Sequence, residues 1–408
     1  MDTILRRLFV RVHPRYTRSA HVADLSALVH WLAAQGYTRH YTQQVVFCVM
    51  RALDASRHPP SGAWTAEDLH RAFRRRRRAP QYQQAGRVFG AYLRSVDRLQ
   101  ANRPLNPHGH VIECYRRYLA EVRGLAADSI VSHVWEVGAF LRCALPTGGP
   151  IQNLSAEMIE RYVRHRSTTV VRRSLGHTID ILRVFLRYCH DQRLTSACFA
   201  AIERPLLFRD ELPPRALKWP VILRLLRSVD RKSRTGWRDF MILHLMAHYG
   251  LRNGEVTRLT KESIDWREGT LLVEQTKTHT WLKLPLHKET LHLLAQYARR
   301  PRPAAGHDRL FQHGRAPFGP MQKADVSQLF KFRAKQSGLP IAEASAYSLR
   351  HSFAMRLFTR GVGIKAIGDL MGHSTIVSTS IYLRLQTDML RAIALPVPIN
   401  TEPAGGAK

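Results

Sequence analysis

Almost everywhere in this chain the apolar residues recur at helical spacing, and only between Leu271 and Leu286 do they switch to the two-residue alternation of strands. That pattern restricts the fold to packed helices with one small sheet. Leu271 to Thr276 and Trp281 to Leu286 flank Lys277 to Thr280, and Leu282, Leu284 and Leu286 alternate with Trp281, Lys283 and Pro285, which predicts a hairpin. Proline and glycine clusters cut the helical remainder into segments. Pro104, Pro107 and Gly109 close a first segment, residues 1–107. Phe208 to Pro214 is the linker, 208–214, between a second segment, 108–207, and a third, 215–395, and a Pro- and Gly-rich tail, 396–408, follows. The expected class is mainly α with a small β-sheet in the C-terminal domain (α+β), the N-terminal part being all-helical.

The second segment reads as helix after helix. Val111, Tyr115, Tyr118, Leu119 and Val122 keep one apolar stripe, and Val131, Val134, Phe140 and Leu141 keep the next. Ser155 is placed to cap a helix reaching Arg166, and Ile179, Leu182, Phe185 and Leu186 line another. The basic face of these helices points outward, with Arg116, Arg117, Arg183 and Arg187 as candidate phosphate contacts.

Charge narrows the partner. In 408 residues, 63 Lys plus Arg stand against 31 Asp plus Glu, a formal charge of +32. A surplus of this kind repels itself in the compact state and points to a polyanion as the partner. The run Arg74, Arg75, Arg76, Arg77 and Arg78 cannot share one helix face, so it is read as a phosphate-binding patch at a helix end or in a loop. No apolar run approaches the roughly 18 residues of a membrane span, the longest clean one being Val45 to Met50. The basic stretch Met1 to Arg18 has no hydrophobic signal core, and the five cysteines are odd in number and widely spaced, so a reduced cytoplasmic chain is expected. No H-E-x-x-H or paired C-x-x-C accompanies the histidines, and no metal site is expected.

Three clusters in the third segment carry potential chemistry. The apolar stretch holding Phe240, Met241, Leu243, Leu245 and Met246 ends at Gly250, and Leu251-Arg252-Asn253-Gly254-Glu255 opens a second helix. That puts Arg252 beside a helix N-terminus, where unpaired N–H groups and the dipole already favour an anion, with Glu255 three residues on to orient it. Tyr347-Ser348-Leu349-Arg350-His351 opens a helix on which Tyr347 and Arg350 share a face. Gly372-His373 follows a short helix, with Tyr382 nine residues after His373. Gly361-Val362-Gly363-Ile364-Lys365-Ala366 matches a dinucleotide-binding fingerprint, but it follows a helix and lacks a βαβ setting.

In this order and spacing the clusters resemble the tyrosine recombinase (phage integrase) family. That family's catalytic domain is marked by a G-L-R-x-x-E turn, a hairpin lysine, an H-x-L-R-H box, and G-H followed by the nucleophilic tyrosine. Here Gly250-Leu251-Arg252 with Glu255, Lys277, the box ending in Arg350-His351, Gly372-His373 and Tyr382 stand in those places, and 23 residues separate Arg350 from His373. One departure is visible: Tyr347 occupies the position usually held by histidine. It can still donate a hydrogen bond but cannot carry imidazolium charge. Segment 108–207 is similar to the family's core-binding domain by position, while 1–107 has no counterpart and is read as an added module for DNA or a partner.

The resemblance implies site-specific DNA recombination by transesterification, serving a mobile element. Tyr382 would be the nucleophile, Arg252 and Arg350 the phosphate grip, Tyr347 a further phosphate donor, His373 the base and Lys277 the acid, with Lys283 as the fallback. Glu255 and His351 would support them. Covalent storage of the bond implies that neither metal nor ATP is required. The implied partner is double-stranded DNA bearing specific sites, gripped by a two-domain clamp and bound as a homo- or hetero-tetramer, alone or with companion recombinases, near the bacterial nucleoid. Residues 387–399 would be exchanged between protomers. The competing reading is an accessory DNA-binding homologue that keeps the fold without the strand exchange.

Overall fold

The computed structural model of the protein describes residues 16–56, 58–74, 80–100, 107–205, 216–275, 280–300, 307–372 and 379. These form two compact units. One gathers the described residues of Met1–Ser61, Ala79–Ala85 and Leu212–Lys408, the other those of Gly62–Arg78 and Gly86–Glu211. The first sequence segment therefore contributes to both. The linker 208–214, the tail and the segment 387–399 lie outside the described residues.

Helices α1 (Val22–Ala34), α2 (Arg39–Asp54), α3 (Ala66–Arg74) and α4 (Pro80–Ser95) make up most of the N-terminal part. The Thr38 hydroxyl caps α2 by accepting the Tyr41 N–H. This part is not wholly helical. Strands β1 (Trp64–Thr65) and β2 (Leu99–Gln100) pair in parallel, and two residues are too few for an alternating pattern to show in sequence.

The second unit continues through α5 (Gly109–Arg117), α6 (Ala127–Ala144), α7 (Ala156–Thr169) and α8 (Arg172–Asp191). Its core holds Tyr115, Leu119, Val137, Phe140, Leu141, Ile159, Tyr162, Leu182 and Phe185. Ser155 caps α7 as expected, accepting the Met158 N–H. Two members of the expected stripes are in solvent, and helix geometry explains both. Residues Tyr118–Val122 form a π-helical turn, whose wider winding rotates Val122 off the stripe. Val131, 67% exposed, precedes Phe140 by nine residues, about 180° around the helix at 3.6 residues per turn.

The remaining elements belong to the first unit: α9 (Trp219–Ser228), α10 (Gly236–Tyr249), α11 (Asn253–Arg258), β3 (Ile264–Asp265), β4 (Thr270–Gln275), β5 (Thr280–Pro285), α12 (Lys288–Ala298), α13 (Lys323–Gln336), α14 (Ala346–Phe358) and α15 (Ile364–Met371). Helix α10 is apolar on nearly every side because it runs through the core, burying Met241, Ile242, Leu243, Leu245, Met246 and Ala247. The hairpin is present, antiparallel, with Leu271 opposite Leu284 and Gln275 opposite Thr280. The two-residue strand β3 extends it to an antiparallel sheet of order β3-β4-β5. Leu271, Val273 and Leu284 face the core, while Leu272, Trp281 and Lys283 face solvent. Among the described residues, no helix is long and apolar enough to cross a membrane.

Candidate active site

Gly250 ends α10 in the left-handed conformation, φ +65°, and a Cβ there would strike the Phe353 ring of α14, so two constraints require glycine. The turn delivers Arg252 to the N-cap of α11. Glu255, in that helix's first turn, accepts the Arg252 backbone N–H at 2.8 Å with Oε2 and Arg252 Nη1 at 2.5 Å with Oε1. One carboxylate thus caps the helix, complements its dipole and fixes the guanidinium.

Arg350 reaches the same place from α14. Its Nη1 donates to the Gly250 carbonyl and its Nη2 to the Met371 carbonyl, each at 2.5 Å, and Nη1 stands 3.8 Å from Glu255 Oε2. Arg252 Nη2 in turn donates to the Gly372 carbonyl at 3.2 Å. Gly372 closes α15 with φ +60°, also left-handed. Two guanidiniums therefore surround one buried carboxylate, leaving a surplus positive charge among the ends of α10 and α15 and the start of α11.

Arg252, Glu255 and Arg350 are brought together, and Tyr347 stands on the solvent side of α14. Arg350 is 1% exposed and Tyr347 43%. A three-residue step leaves two side chains about 60° apart on a helix, and at the first turn of α14 that is enough to separate protein from solvent. The Tyr347 ring instead meets His351 edge-on, centroids 4.7 Å apart. Burial, reinforced by the Arg350 charge, lowers the His351 pKa to about 4, so this imidazole is neutral at pH 7.

Lys277, His373 and Tyr382 lie outside the described residues, as do Arg75, Arg76, Arg77 and Arg78; Arg74 is the last residue of α3. Two of the four candidate phosphate contacts in the second unit, Arg116 and Arg183, already have acceptors, and Arg117 has a carboxylate nearby. Arg116 grips Glu113 with Nε and Nη2 at 2.8 and 2.7 Å, Arg117 Nε stands 3.7 Å from the same carboxylate, and Arg183 is bound to the Ile202 carbonyl. Arg187 is exposed. Among the described residues, no group of three His, Cys, Asp or Glu side chains could hold a metal ion.

One neighbour of the Gly372 turn was missed in the sequence. Gln275 ends β4, buried, and its Oε1 accepts the Thr280 hydroxyl across the hairpin mouth at 3.2 Å. A Cβ on Gly372 would fall inside its carboxamide. The available signal was a polar residue on the alternation of Leu271 and Val273.

The phage integrase family model matches residues 216–389. The tyrosine recombinase XerD of Xanthomonas axonopodis is 30% identical over 276 residues, covering 65% of this chain and 89% of that protein. The chain belongs to the phage integrase family of tyrosine recombinases. Membership makes it an enzyme of the site-specific DNA recombinase class. Two solved recombinases share its fold: the Tn1549 transposon integrase in complex with transposon right-end DNA, at 16% identity and a TM-score of 0.55 over 70% of this chain and 99% of that one, and a lambda integrase dimer bound to a COC′ core site, at 20% and 0.53 over 67% and 94%. The matched span contains α9 to α15, the sheet and all three clustered residues of this recombinase.

Proposed function

We propose that this recombinase cuts and rejoins double-stranded DNA at specific sites through a 3′-phosphotyrosyl intermediate on Tyr382, and that it serves a mobile element. The observation that carries the reading is the convergence of Arg252 and Arg350 on Glu255. A phosphodiester under attack gains negative charge on its non-bridging oxygens, and two planar guanidiniums fixed beforehand stabilise it without reorganising at the moment of reaction. The N–H groups now held by neutral carbonyls of Gly250, Met371 and Gly372 would find a stronger acceptor in phosphate, since an ionised acceptor makes a hydrogen bond roughly twice as strong.

The steps balance without an external energy source. The Tyr382 oxygen bonds to phosphorus as the bond to the 5′-oxygen breaks. A free tyrosine has a pKa of about 10, so its proton passes to His373 while Lys277 protonates the departing 5′-oxygen. The 5′-hydroxyl of a second strand then reverses the exchange. Tyr347, exposed at the start of α14, donates to the phosphate from the solvent side. The two DNA-binding domains act as a clamp, residues 1–107 add grip on DNA or a partner, and four protomers, of one kind or with companions, assemble on paired sites in the cytoplasm.

The test uses nicked suicide duplexes built on the sequence that the full-length protein selects from a random pool. Wild type should form a covalent adduct in complexes of four protomers, and Tyr382→Phe should form none. Absence of adduct from wild type on every selected sequence would leave the accessory DNA-binding role.

A further inference from the structure

We infer that Gln275 is a positioning residue for this reaction, its carboxamide fixing the root of the lysine-bearing hairpin against the Gly372 turn. The inference rests on the strand-exchange reading above. Leu271, Val273 and Gln275 share the buried face of β4, and the first two are wholly buried and apolar. An amide at the third position, 4% exposed, costs free energy unless its polar atoms are bonded. A leucine would satisfy the local rule, and departures of this kind concentrate where function requires them.

The neighbours show what the amide does. On one side, Gln275 and Thr280 are the last register pair before the hairpin tip, and the Thr280 hydroxyl is bonded to the Gln275 side chain across that mouth. On the other side, the carboxamide lies flush against Gly372, filling the space a Cβ would need. Gly372 is held in turn by its N–H to the Asp369 carbonyl at 3.0 Å and by its own carbonyl accepting Arg252. In the chain, Lys277 follows Gln275 by two residues and His373 follows Gly372 by one. A single buried amide therefore braces the strand that leads to the acid against the Gly372 turn, which the Arg252 bond to the Gly372 carbonyl holds independently.

Its removal should displace the lysine from the leaving oxygen and leave the grip on DNA unaffected. A displacement of about 1 Å can slow a positioned reaction by about 100-fold. Gln275→Leu keeps the volume and suits the apolar face, so it should fold, unfold at the wild-type temperature and bind the selected duplex as tightly as wild type. Adduct formation at saturating DNA should nevertheless slow by about 10- to 100-fold. The distinguishing readout is a duplex whose bridging 5′-oxygen at the mapped cleavage position is replaced by sulfur. A thiolate leaves without being protonated, so Gln275→Leu should cleave this duplex at close to the wild-type rate.

Adduct formation by folded Gln275→Leu at the wild-type rate on the oxygen duplex overturns the inference. An equal slowing on the oxygen and sulfur duplexes also overturns it, because the defect then does not pass through the acid. Gln275→Met, uncharged and of similar length, provides the second variant if leucine disturbs folding. A wild type that forms no adduct defeats the functional reading and this inference together, whereas an active wild type beside an unimpaired variant defeats the inference alone.

Discussion

The two ends of α10 hold clusters of the same composition, one buried carboxylate between two arginines. Near the start of the helix, Asp239 takes Arg238 Nε and Nη2 on one oxygen at 2.9 and 2.7 Å, and Arg333 Nε and Nη2 on the other at 2.9 and 2.5 Å. The remaining N–H groups go to the Gln312 carbonyl, the Gln336 side chain and the Thr235 hydroxyl. Four charge-assisted bonds close on one carboxylate and tie α10 to α13. Beyond the other end, Glu255 has one close guanidinium, a backbone N–H and a second guanidinium standing off at 3.8 Å. The arginines there donate to backbone carbonyls at helix ends instead. Equal charge counts thus give a closed brace in one place and, in the other, a carboxylate with one close and one distant guanidinium. What separates them is where the donors terminate.

The largest expected effects come from removing one arginine at each end. Taking away one partner of a buried ion pair costs about 3–5 kcal/mol, so Arg333→Ala and Arg350→Ala should both lower the urea midpoint substantially. Their chemistry should diverge. Arg350→Ala should slow adduct formation by about 100- to 1,000-fold or more per folded molecule, the loss seen when a preorganised donor to a developing oxyanion is removed. Arg333→Ala should react like wild type once the unfolded fraction is discounted. A folded Arg333→Ala protein that forms no adduct would erase the distinction between the two clusters.

This contrast also marks what the sequence could convey. The Arg252–Glu255 pairing was legible because it is local: a three-residue step at a helix start has few geometric solutions. The hairpin and the stop at Gly250 were legible for the same reason. Arg333 and Asp239 lie 94 residues apart, and Gln275 meets Gly372 only after the sheet and α15 pack, so no spacing announces either contact. Helical periodicity overstated the burial of Val131, because it gives an angle around an axis and not which sector the rest of the protein covers. Arg183 has the place of a surface cation in the helical pattern, but its acceptor, the Ile202 carbonyl, is 19 residues away and no spacing announces it.

A smaller effect should follow from Arg252→Lys, which keeps the charge and loses the fork. Lysine cannot hold Glu255 and the Gly372 carbonyl in one plane as Arg252 does. The Arg252 side chain is 22% exposed, so the stability loss should stay near the roughly 1 kcal/mol of partly exposed pairs. Adduct formation should slow by about 100-fold. The matching change at the other end, Arg238→Lys, should leave the adduct rate unaltered. Equal rates for Arg252→Lys and wild type would show that charge alone, without planar geometry, suffices at this site.

The smallest effect should come from acid, and it should strike both ends of α10 together. Between the clusters the rings of His244 and His248 stack with centroids 4.2 Å apart, and His244 Nε2 is hydrogen-bonded to the Thr290 hydroxyl at 2.9 Å. Burial lowers the His244 pKa from 6.5 to about 3, with His248 adding to the fall. Burial also lowers that of His248 to about 4, Arg356 and His287 acting with it and Glu289 against it. Both pKa values are depressed by folding, so between 6.5 and about 4 the unfolded chain binds protons that the native protein does not. Stability should therefore be insensitive to these rings above pH 7 and fall as the pH drops through that window. Urea midpoints should decline from about pH 7.5, above the window, to about pH 6 and then about pH 5, inside it, and His248→Gln should reduce the slope. Because protonation acts on the helix joining the two clusters, adduct rate per folded molecule should not separate from stability here as it does for Arg350→Ala. A midpoint that stays level from pH 7.5 to 5 would mean that these imidazoles take up protons without unfolding, and that α10 is less tightly enclosed than its packing indicates.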